Sequence, residues 1–223
     1  MNMKRFTHKQ FEDVKFDDIP TVNVDGKRHY KTPTGSKLPS VTTVVGWEKS
    51  KFFAEWRRKN PEESKRVTVR GNKLHSLIEK YLLNEFDPDT DYVPLNIMDL
   101  FLQLKPELDK IDNVYALEVP LWSDMVGLAG RVDCVAEHDG TLSIIDFKGS
   151  TREKKSSDIE NYYLQATAYA LMWQEMTGIA IDTFKILVAC EQTCTCQVFE
   201  GNPINYVKRL KEVIDSYNSL IHT

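Results

Sequence analysis

The sequence predicts an α/β domain in which a central mixed β-sheet is flanked by helices. Apolar residues recur with helical period in some segments, and they alternate or form short continuous runs in others. The predicted order is helix, three strands, helix, two strands, helix, which is typical of a sheet covered by helices. With 223 residues, 41% of them hydrophobic, and no evident linker, we expect a single domain over residues 1–223.

The first 50 residues are predicted to form an extended arm or hairpin. Short alternating runs such as VNV are interrupted by turn signals, first Asp25-Gly26 and then TPTG. Helical periodicity begins near Lys51 and continues to Lys59. We assign residues 1–50 to this arm and about 65–200 to the core of the domain.

A longer helix is predicted over about residues 65–84. Its buried stripe consists of apolar residues at helical spacing, and His75 lies at the edge of that stripe. The stripe residues are Leu74, Leu77, Ile78, Tyr81 and Leu82. Residues 86–96 have the composition of a loop, and 97–110 predict a short acidic helix interrupted near Pro106.

Strands dominate the middle of the chain, where three runs follow one another: VYALEVPLW, GLAGRVDCVAE and TLSIIDFK. A helix is predicted from about residue 158 to 176, followed by strands near 183–190 and 195–199. An amphipathic helix over 203–221 completes the domain.

The composition excludes several classes of protein. Charged residues make up 28% of the chain, and Gly and Pro number only 10 and 9, so disorder and collagen-like structure are excluded. No apolar run approaches the roughly 20 residues of a membrane helix, and the first residues lack a signal-peptide core. Four cysteines are too few for a disulfide scaffold, so we expect a cytoplasmic protein with no membrane partner.

Charge is unevenly distributed along the chain. The net charge of −4 argues against general attraction to nucleic acid. Residues 51–73, however, carry eight Lys or Arg and three Glu, whereas residues 85–112 carry two Lys and eight Asp or Glu. This pattern predicts either a polarised surface or two ordinary solvated faces.

The turn between the second and third strand runs predicts how these strands pair. Asp139-Gly140 is the preferred pair for a two-residue type I′ hairpin loop. With His138 opposite Thr141, side-chain alternation places two pairs together on one face: Asp133 with Asp146, and Arg131 with Lys148.

Two opposed carboxylates repel each other unless a cation lies between them. Oxygen donors that converge in this way suit a hard divalent ion such as Mg²⁺ or Mn²⁺. The alternative is an exposed strand end with ordinary salt bridges to Arg131 and Lys148. Because Ile144, Ile145 and Phe147 indicate a buried strand, we favour the metal site.

An Asp, a following strand and then Asp-x-Lys after an apolar run resemble the PD-(D/E)xK nuclease superfamily. Gly71-Asn72-Lys73-Leu74-His75 and Gln165-x-x-x-Tyr169 resemble motifs of its RecB-like branch. With PSVTTVV and GLAGRVDCVAE, the chain is most similar to the mitochondrial genome maintenance exonuclease family and its phage or bacterial relatives. The resemblance covers roughly residues 38–215 and implies a restriction-endonuclease-like core.

The resemblance also implies roles for individual residues. The implied catalytic residues are Asp133, Asp146 and Lys148. The implied metal ligands are His75, Asp133, Asp146 and the carbonyl of Phe147, binding Mg²⁺ or Mn²⁺. Candidate substrate-binding residues are Gln165, Tyr169, Arg131, Ser150, Arg66 and Arg70. Glu118 resembles an acidic position in RecB-like nucleases, although a lone strand glutamate is usually a surface residue.

Two features depart from the family pattern. Gly149 stands where many relatives have a threonine, whose hydroxyl Ser150 or Thr151 could replace. Some RecB-like nucleases hold an iron–sulfur cluster with four cysteines, but here Cys134 lies in the hairpin and the other three cysteines cluster near one turn. We expect no iron–sulfur cluster.

The function implied is that of a metal-dependent DNA exonuclease, acting on single strands with a free end in replication, repair or recombination. Alternatives are a structure-specific or restriction-type endonuclease and a non-catalytic DNA-binding module. The basic segment around Arg57, Arg58, Lys65, Arg66, Arg70 and Lys73 is predicted to bind the strand. Phe52, Phe53 and Trp56 are predicted to stack on bases or to pack. We expect a monomer with a possible replication or recombination partner protein.

Overall fold

The computed structural model describes residues 3–11 and 14–221. Within these residues the main sheet has six strands in the order β1-β5-β6-β7-β8-β9. They are β1 (Thr7–His8), β5 (Ile111–Ser123), β6 (Leu128–His138), β7 (Thr141–Ser150), β8 (Phe184–Cys190) and β9 (Cys196–Gly201). Strand β1 is parallel to β5 and β7 is parallel to β8, whereas the other pairs are antiparallel. The predicted mixed sheet is therefore confirmed.

Helices cover both faces of the main sheet. They are α1 (Val41–Val45), α2 (Ser50–Lys59), α3 (Pro61–Leu82), α4 (Leu95–Leu108), α5 (Glu160–Thr177) and α6 (Val207–Ile221). Helices α3 and α4 contribute to one hydrophobic cluster, and α1, α5 and α6 contribute to the other. Strand β7 supplies Ile144 to one cluster and Ile145 to the other, which explains its continuous apolar run.

The N-terminal segment forms more than the expected arm. Strands β2 (Thr21–Val24), β3 (Lys27–Lys31) and β4 (Lys37–Pro39) make a separate antiparallel sheet, here called the small sheet. A bridge between Ser40 and Ala129 attaches the small sheet to β6.

Two predicted helix boundaries were wrong. Helix α3 begins at Pro61 instead of residue 65, because proline suits the first helical position and Glu62 and Glu63 suit the first turn. Helix α4 is not interrupted at Pro106 but continues to Leu108. Pro106 lies in the last turn, where Leu104 and Leu108 are fully buried, and this packing outweighs the local disruption.

The predicted hairpin register is confirmed from His138–Thr141 to Cys134–Ile145. Asp139 and Gly140 both have positive φ, 50° and 74°, as a type I′ turn requires. The ladder stops before Asp133 and Asp146, so the expected direct pair does not form: Asp133 Oδ2 instead accepts the N–H of Phe147 at 2.9 Å. Arg131 pairs with Pro120 of β5, not with Lys148.

Beyond this point β6 stays with β5, whereas β7 continues only beside β8. The two strands that carry Asp133 and Asp146 therefore separate at the carboxylates. No helix within the described residues is long and apolar enough to cross a membrane.

Candidate active site

A cavity of about 610 Å³ opens where β6 and β7 separate. Helix α3 contributes His75, the main sheet contributes Glu118, Arg131, Asp133 and Lys148, and α5 contributes Gln165. The small sheet and α1 close one side of the cavity. The structure thus brings together in one cavity residues as far apart in the sequence as Thr21 and Tyr169.

His75, Glu118 and Asp133 form a group that could hold a metal ion, with one ligand atom of each within 4.8 Å of the others. His75 Nδ1 lies 3.6 Å from Glu118 Oε1 and 3.7 Å from Asp133 Oδ2. Burial lowers the pKa of His75, but the charge of Asp133 and a hydrogen bond with Glu118 outweigh it and raise the pKa to about 9. The carboxylates therefore strongly favour a positive charge at this position.

Glu118 is brought into the group by an unusual backbone conformation. Its φ is +50°, which few residues with a Cβ adopt. The flanking pairs Leu117–Cys134 and Val119–Val132 place Glu118 opposite Asp133 across β5 and β6. The carboxylate opposed to Asp133 is thus Glu118, whereas the sequence predicted Asp146.

Asp146 lies beside this group but is buried more deeply, with 1% of its surface exposed. Its Oδ1 accepts hydrogen bonds from Lys148 Nζ at 2.6 Å and Gln165 Nε2 at 3.1 Å. Its Oδ2 has no hydrogen-bond partner among the described residues. Burial raises the pKa of Asp146 to about 6, the charge of Lys148 opposes this, and Asp133 adds to it.

Lys148 remains a cation in this environment. Burial lowers its pKa, but Asp146 and Asp133 more than compensate, so the pKa is raised. Its ammonium group also lies 5.2 Å from the centre of the Tyr162 ring.

Two side chains of helix α5, Gln165 and Tyr169, lie beside the carboxylates. Gln165 is buried, and its Nε2 lies 3.5 Å from the hydroxyl of Tyr169, one helical turn further on. Tyr169 packs on Gly130 of β6, where a Cβ would lie only 2.9 Å from the ring. Burial and then the charges of Asp133 and Asp146 raise the pKa of Tyr169, which keeps its hydroxyl neutral.

A comparison with known families decides how this constellation is classified. The model of the PD-(D/E)XK nuclease superfamily matches residues 48–193, which is well over half of the chain and includes His75, Asp133, Asp146 and Lys148. The chain belongs to the PD-(D/E)XK nuclease superfamily. It is a nuclease, a hydrolase that acts on nucleic acid.

The nuclease is similar to mitochondrial genome maintenance exonuclease 1 of Mus musculus, with 28% identity over 157 residues. The match covers 60% of this chain and 44% of the mouse protein, so the chain spans less than half the length of that relative. A crystal structure from Eubacterium rectale, of a protein provisionally assigned as an exonuclease, has 14% identity and a TM-score of 0.48. That match covers 70% of this chain and 65% of the other.

Nucleases of this superfamily use divalent metal ions, and the donors present in this nuclease fit such an ion. One imidazole and two carboxylates converge, and the unpartnered Oδ2 of buried Asp146 provides a further oxygen. Oxygen-rich donor sets suit Mg²⁺ and Mn²⁺, and a histidine is compatible with Mn²⁺ in particular. For Phe147, the structure shows that its N–H fixes Asp133; a metal-binding role for its carbonyl stays a prediction.

Other predicted site residues lie away from this cavity. The Ser150 hydroxyl donates to the carbonyl of Arg152. Arg66 and Arg70 both pair with Glu191, and Arg70 is 5% exposed. Arg131 does line the cavity, but its guanidinium donates to the carbonyl of Glu118 and pairs with Asp18.

The cysteines are free thiols with differing exposure. Cys134 and Cys190 are buried, Cys194 is exposed and Cys196 is half-buried. Burial raises the pKa of Cys134 first, and the charges of Asp133 and Glu118 raise it further. Cys134 packs in the cluster to which α3 and α4 contribute, whereas Val132 and Val135 pack in the other cluster.

Proposed function

We propose that this nuclease is a metal-dependent exonuclease that hydrolyses phosphodiester bonds of single-stranded DNA from a free end. The observation that carries the proposal is the convergence of His75, Glu118 and Asp133 beside the Asp146–Lys148 pair in one cavity. The same proposal includes a biological role in DNA replication, repair or recombination. It also places the protein in the cytoplasm as a monomer, with a possible replication or recombination partner protein.

The residues that would hold the ion are His75, Glu118, Asp133 and Asp146. A divalent ion bound there would polarise the scissile phosphate and lower the pKa of a water molecule. Lys148 serves as a fixed cation that orients the attacking water and stabilises the negative charge that develops on the phosphate. Its raised pKa argues against a role as general base, because a base must be unprotonated at working pH.

Gln165 acts through Asp146. Its amide N–H donates a hydrogen bond to Oδ1 of Asp146, as the Lys148 ammonium group does. Oδ2 is left without a hydrogen-bond partner among the described residues. The two hydrogen bonds to Oδ1, together with a cation bound at Oδ2, favour the ionised form of Asp146. Tyr169 packs behind Gln165 and limits the movement of its amide.

The exposed basic segment supports binding of a single strand. Helix α2 has no buried residue, and Phe52 and Phe53 are 67% and 44% exposed. Exposed aromatic rings beside cations are typical of surfaces on which unpaired bases stack. Arg57, Arg58 and Lys65 are exposed, and none of them forms an ion pair with another described residue.

Action from a free end is supported by the similarity to the mouse exonuclease. The test compares 5′- or 3′-labelled linear single strands with closed single-stranded circles and with duplexes, in Mg²⁺, Mn²⁺ or EDTA. We expect cleavage of linear single strands with either ion, none in EDTA, and none with the Asp133→Asn variant.

Each alternative has its own signature in this assay. Equal cleavage of circles and linear strands would assign the protein as an endonuclease. Binding of single strands without cleavage under any metal condition would assign it as a non-catalytic binding module, and full activity in excess EDTA would refute metal dependence.

A further inference from the structure

One part of the cavity wall comes from a segment of the chain outside the superfamily match. The match begins at residue 48, whereas Thr21, Arg28 and Tyr30 of the small sheet and Thr42 of α1 also line the cavity. At about 610 Å³ the cavity lies within the roughly 300–1,000 Å³ of typical ligand pockets. This volume leaves room for more of a substrate than its reacting phosphate.

Arg28 is held in a defined orientation on this wall. Its Nη2 donates to Thr42 Oγ1 at 2.9 Å, and its guanidinium carbon lies 5.7 Å from the centre of the Tyr30 ring. Tyr30 is 3% exposed and packs with Ile19 and Ala129, so the ring is a fixed platform. The backbone is fixed as well, because the carbonyl of Arg28 accepts the N–H of Ser40.

The charge of Arg28 is not neutralised by the protein. The side chain is exposed, and it forms no ion pair with any described residue. Arg131, the other arginine of the cavity, is already bonded to Asp18 and to the Glu118 carbonyl. An oriented guanidinium without an acidic partner, facing a cavity, presents the fork geometry that matches phosphate oxygens.

The carboxylates at the floor of the cavity repel the phosphates of a bound strand, and such a cation would offset this repulsion. Glu118 and Asp133 line the cavity, the buried Asp146 lies close to Asp133, and a polynucleotide adds one negative charge at every linkage. A cation at the metal centre acts on the scissile phosphate, but the neighbouring phosphates still approach these carboxylates. A guanidinium that lines the same cavity offsets this repulsion for one neighbouring linkage.

We propose that the small sheet is a substrate-binding wall and that Arg28 binds, through its guanidinium, a phosphate next to the scissile one in a single polynucleotide strand. Thr42 and Tyr30 are positioning residues for this contact. The inference rests on the proposed function, since it assumes that a nucleic-acid strand enters the cavity.

The test measures the binding of a single-stranded oligonucleotide by fluorescence anisotropy, with Ca²⁺ in place of the catalytic ion. We expect Arg28→Ala to raise Kd about tenfold, the effect of losing one hydrogen bond to a charged group. The Kd of Arg28→Lys should lie between those of the wild type and Arg28→Ala. The slope of log Kd against log salt should fall by about 0.7, the value for one phosphate on a single strand. Lys27→Ala is the matched control. Lys27 is the neighbour of Arg28 in β3, but its ammonium group lies 4.9 Å from the centre of the Tyr217 ring. The Kd of the Lys27→Ala variant should match that of the wild type.

A second measurement identifies the phosphate. A set of oligonucleotides, each with one linkage replaced by a neutral methylphosphonate, should reveal one position that weakens wild-type binding about tenfold but does not weaken Arg28→Ala binding further. Equal losses in both proteins at every position would overturn the assignment. Failure of the wild type to bind any single strand would instead refute the proposed function, and thermal midpoints of all variants establish that they are folded.

Discussion

At the scale of single residues, the main feature is a concentration of negative charge that folding alone does not relieve. Glu118 adopts a positive φ that costs of the order of 1 kcal/mol or more, and its carboxylate still faces Asp133. His75 and Lys148 neutralise part of this charge. Binding of a divalent cation should therefore stabilise the folded protein, because the cation relieves repulsion that remains in its absence.

We predict that Glu118→Gln removes a metal ligand that sequence reasoning ranked below Asp146. Nuclease activity should fall by at least about two orders of magnitude, and the rise of Tm on adding Mn²⁺ should shrink markedly. Differential scanning fluorimetry with and without Mn²⁺ measures the second effect. Glu79→Gln is the control, since Glu79 lies on α3 one turn beyond His75 and outside the metal-binding group. An unchanged Mn²⁺ shift in Glu118→Gln would contradict the assignment.

Asp146 leads to a prediction about pH. Its folded pKa of about 6 lies above its ordinary value, so between pH 4 and 6 the folded state binds a proton that the unfolded state has released. Its contribution to stability is therefore largest at low pH and is lost as the pH rises to about 6. In EDTA, wild-type stability relative to Asp146→Asn should fall by about 2 kcal/mol between pH 4 and pH 7.

Chemical denaturation of both proteins over this pH range measures the difference, from which titrating groups remote from Asp146 cancel. Mn²⁺ at pH 7 should favour the wild type again. A stability difference that is independent of pH would refute the raised pKa.

At the scale of elements, the hairpin shows how far the sequence leads. Asp139-Gly140 predicts a type I′ turn and with it the register of five residue pairs, because a two-residue loop allows one alignment. The end of the ladder could not be predicted, since it depends on β6 and β7 each having a second neighbour, β5 and β8. Asp133 does face a second carboxylate, but that carboxylate belongs to Glu118 of β5 and not to Asp146 of β7.

Other parts of the site were ranked low or missed for the same reason. Only a resemblance to an acidic position in RecB-like nucleases indicated Glu118, because its positive φ and its position opposite Asp133 arise only when β5 pairs with β6. The contribution of the small sheet was missed because it lies about 100 residues before the hairpin that it faces. His75 and Gln165 could be found because they lie in short motifs that resemble those of the RecB-like branch.

An ionic network centred on Glu191 joins α3 to the C-terminal ends of β7 and β8. Arg70 Nη1 donates to Glu191 at 2.6 Å and to Thr151 at 3.1 Å, and Nη2 donates to the Gly149 carbonyl at 3.0 Å. The sequence assigned Arg70 to substrate binding because it lies in a basic run. Its burial shows instead that it fastens α3, which carries His75, to the strand that carries Lys148.

We predict that Glu191→Gln destabilises the protein by about 2–4 kcal/mol, because it leaves the buried guanidinium of Arg70 without a counter-charge. Tm should fall by about 5–10 °C, and kcat should fall at unchanged Kd for DNA as the two halves of the site loosen. Arg66→Gln is the matched control. It removes the exposed partner of the same carboxylate and should cost less than about 1 kcal/mol. Equal losses of stability in the two variants would contradict a special role for the buried Arg70–Glu191 pair.

At the scale of the whole molecule, the two charged segments differ in how much of their charge is available. In the acidic segment, residues 85–112, Asp91, Glu107, Asp109 and Asp112 pair with lysines. In the basic segment, residues 51–73, pairing involves Lys59, Arg66 and Arg70. The cations of α2 and early α3 that remain, including Arg57, Arg58 and Lys65, make the surface of that region positive despite the net charge of −4.

This distribution predicts that long-range attraction of a strand depends on α2. The double variant Arg57→Glu, Arg58→Glu should raise Kd for single-stranded DNA by tenfold or more at low salt, and should flatten the plot of log Kd against log salt by about 1.4 for two phosphates. Lys208→Glu, Lys211→Glu on α6 changes the net charge equally at exposed positions elsewhere and is the control. Because neither pair touches the metal-binding group, kcat at saturating DNA should match the wild type in both. If the two double variants weakened binding equally, net charge alone would govern attraction and α2 would have no specific role.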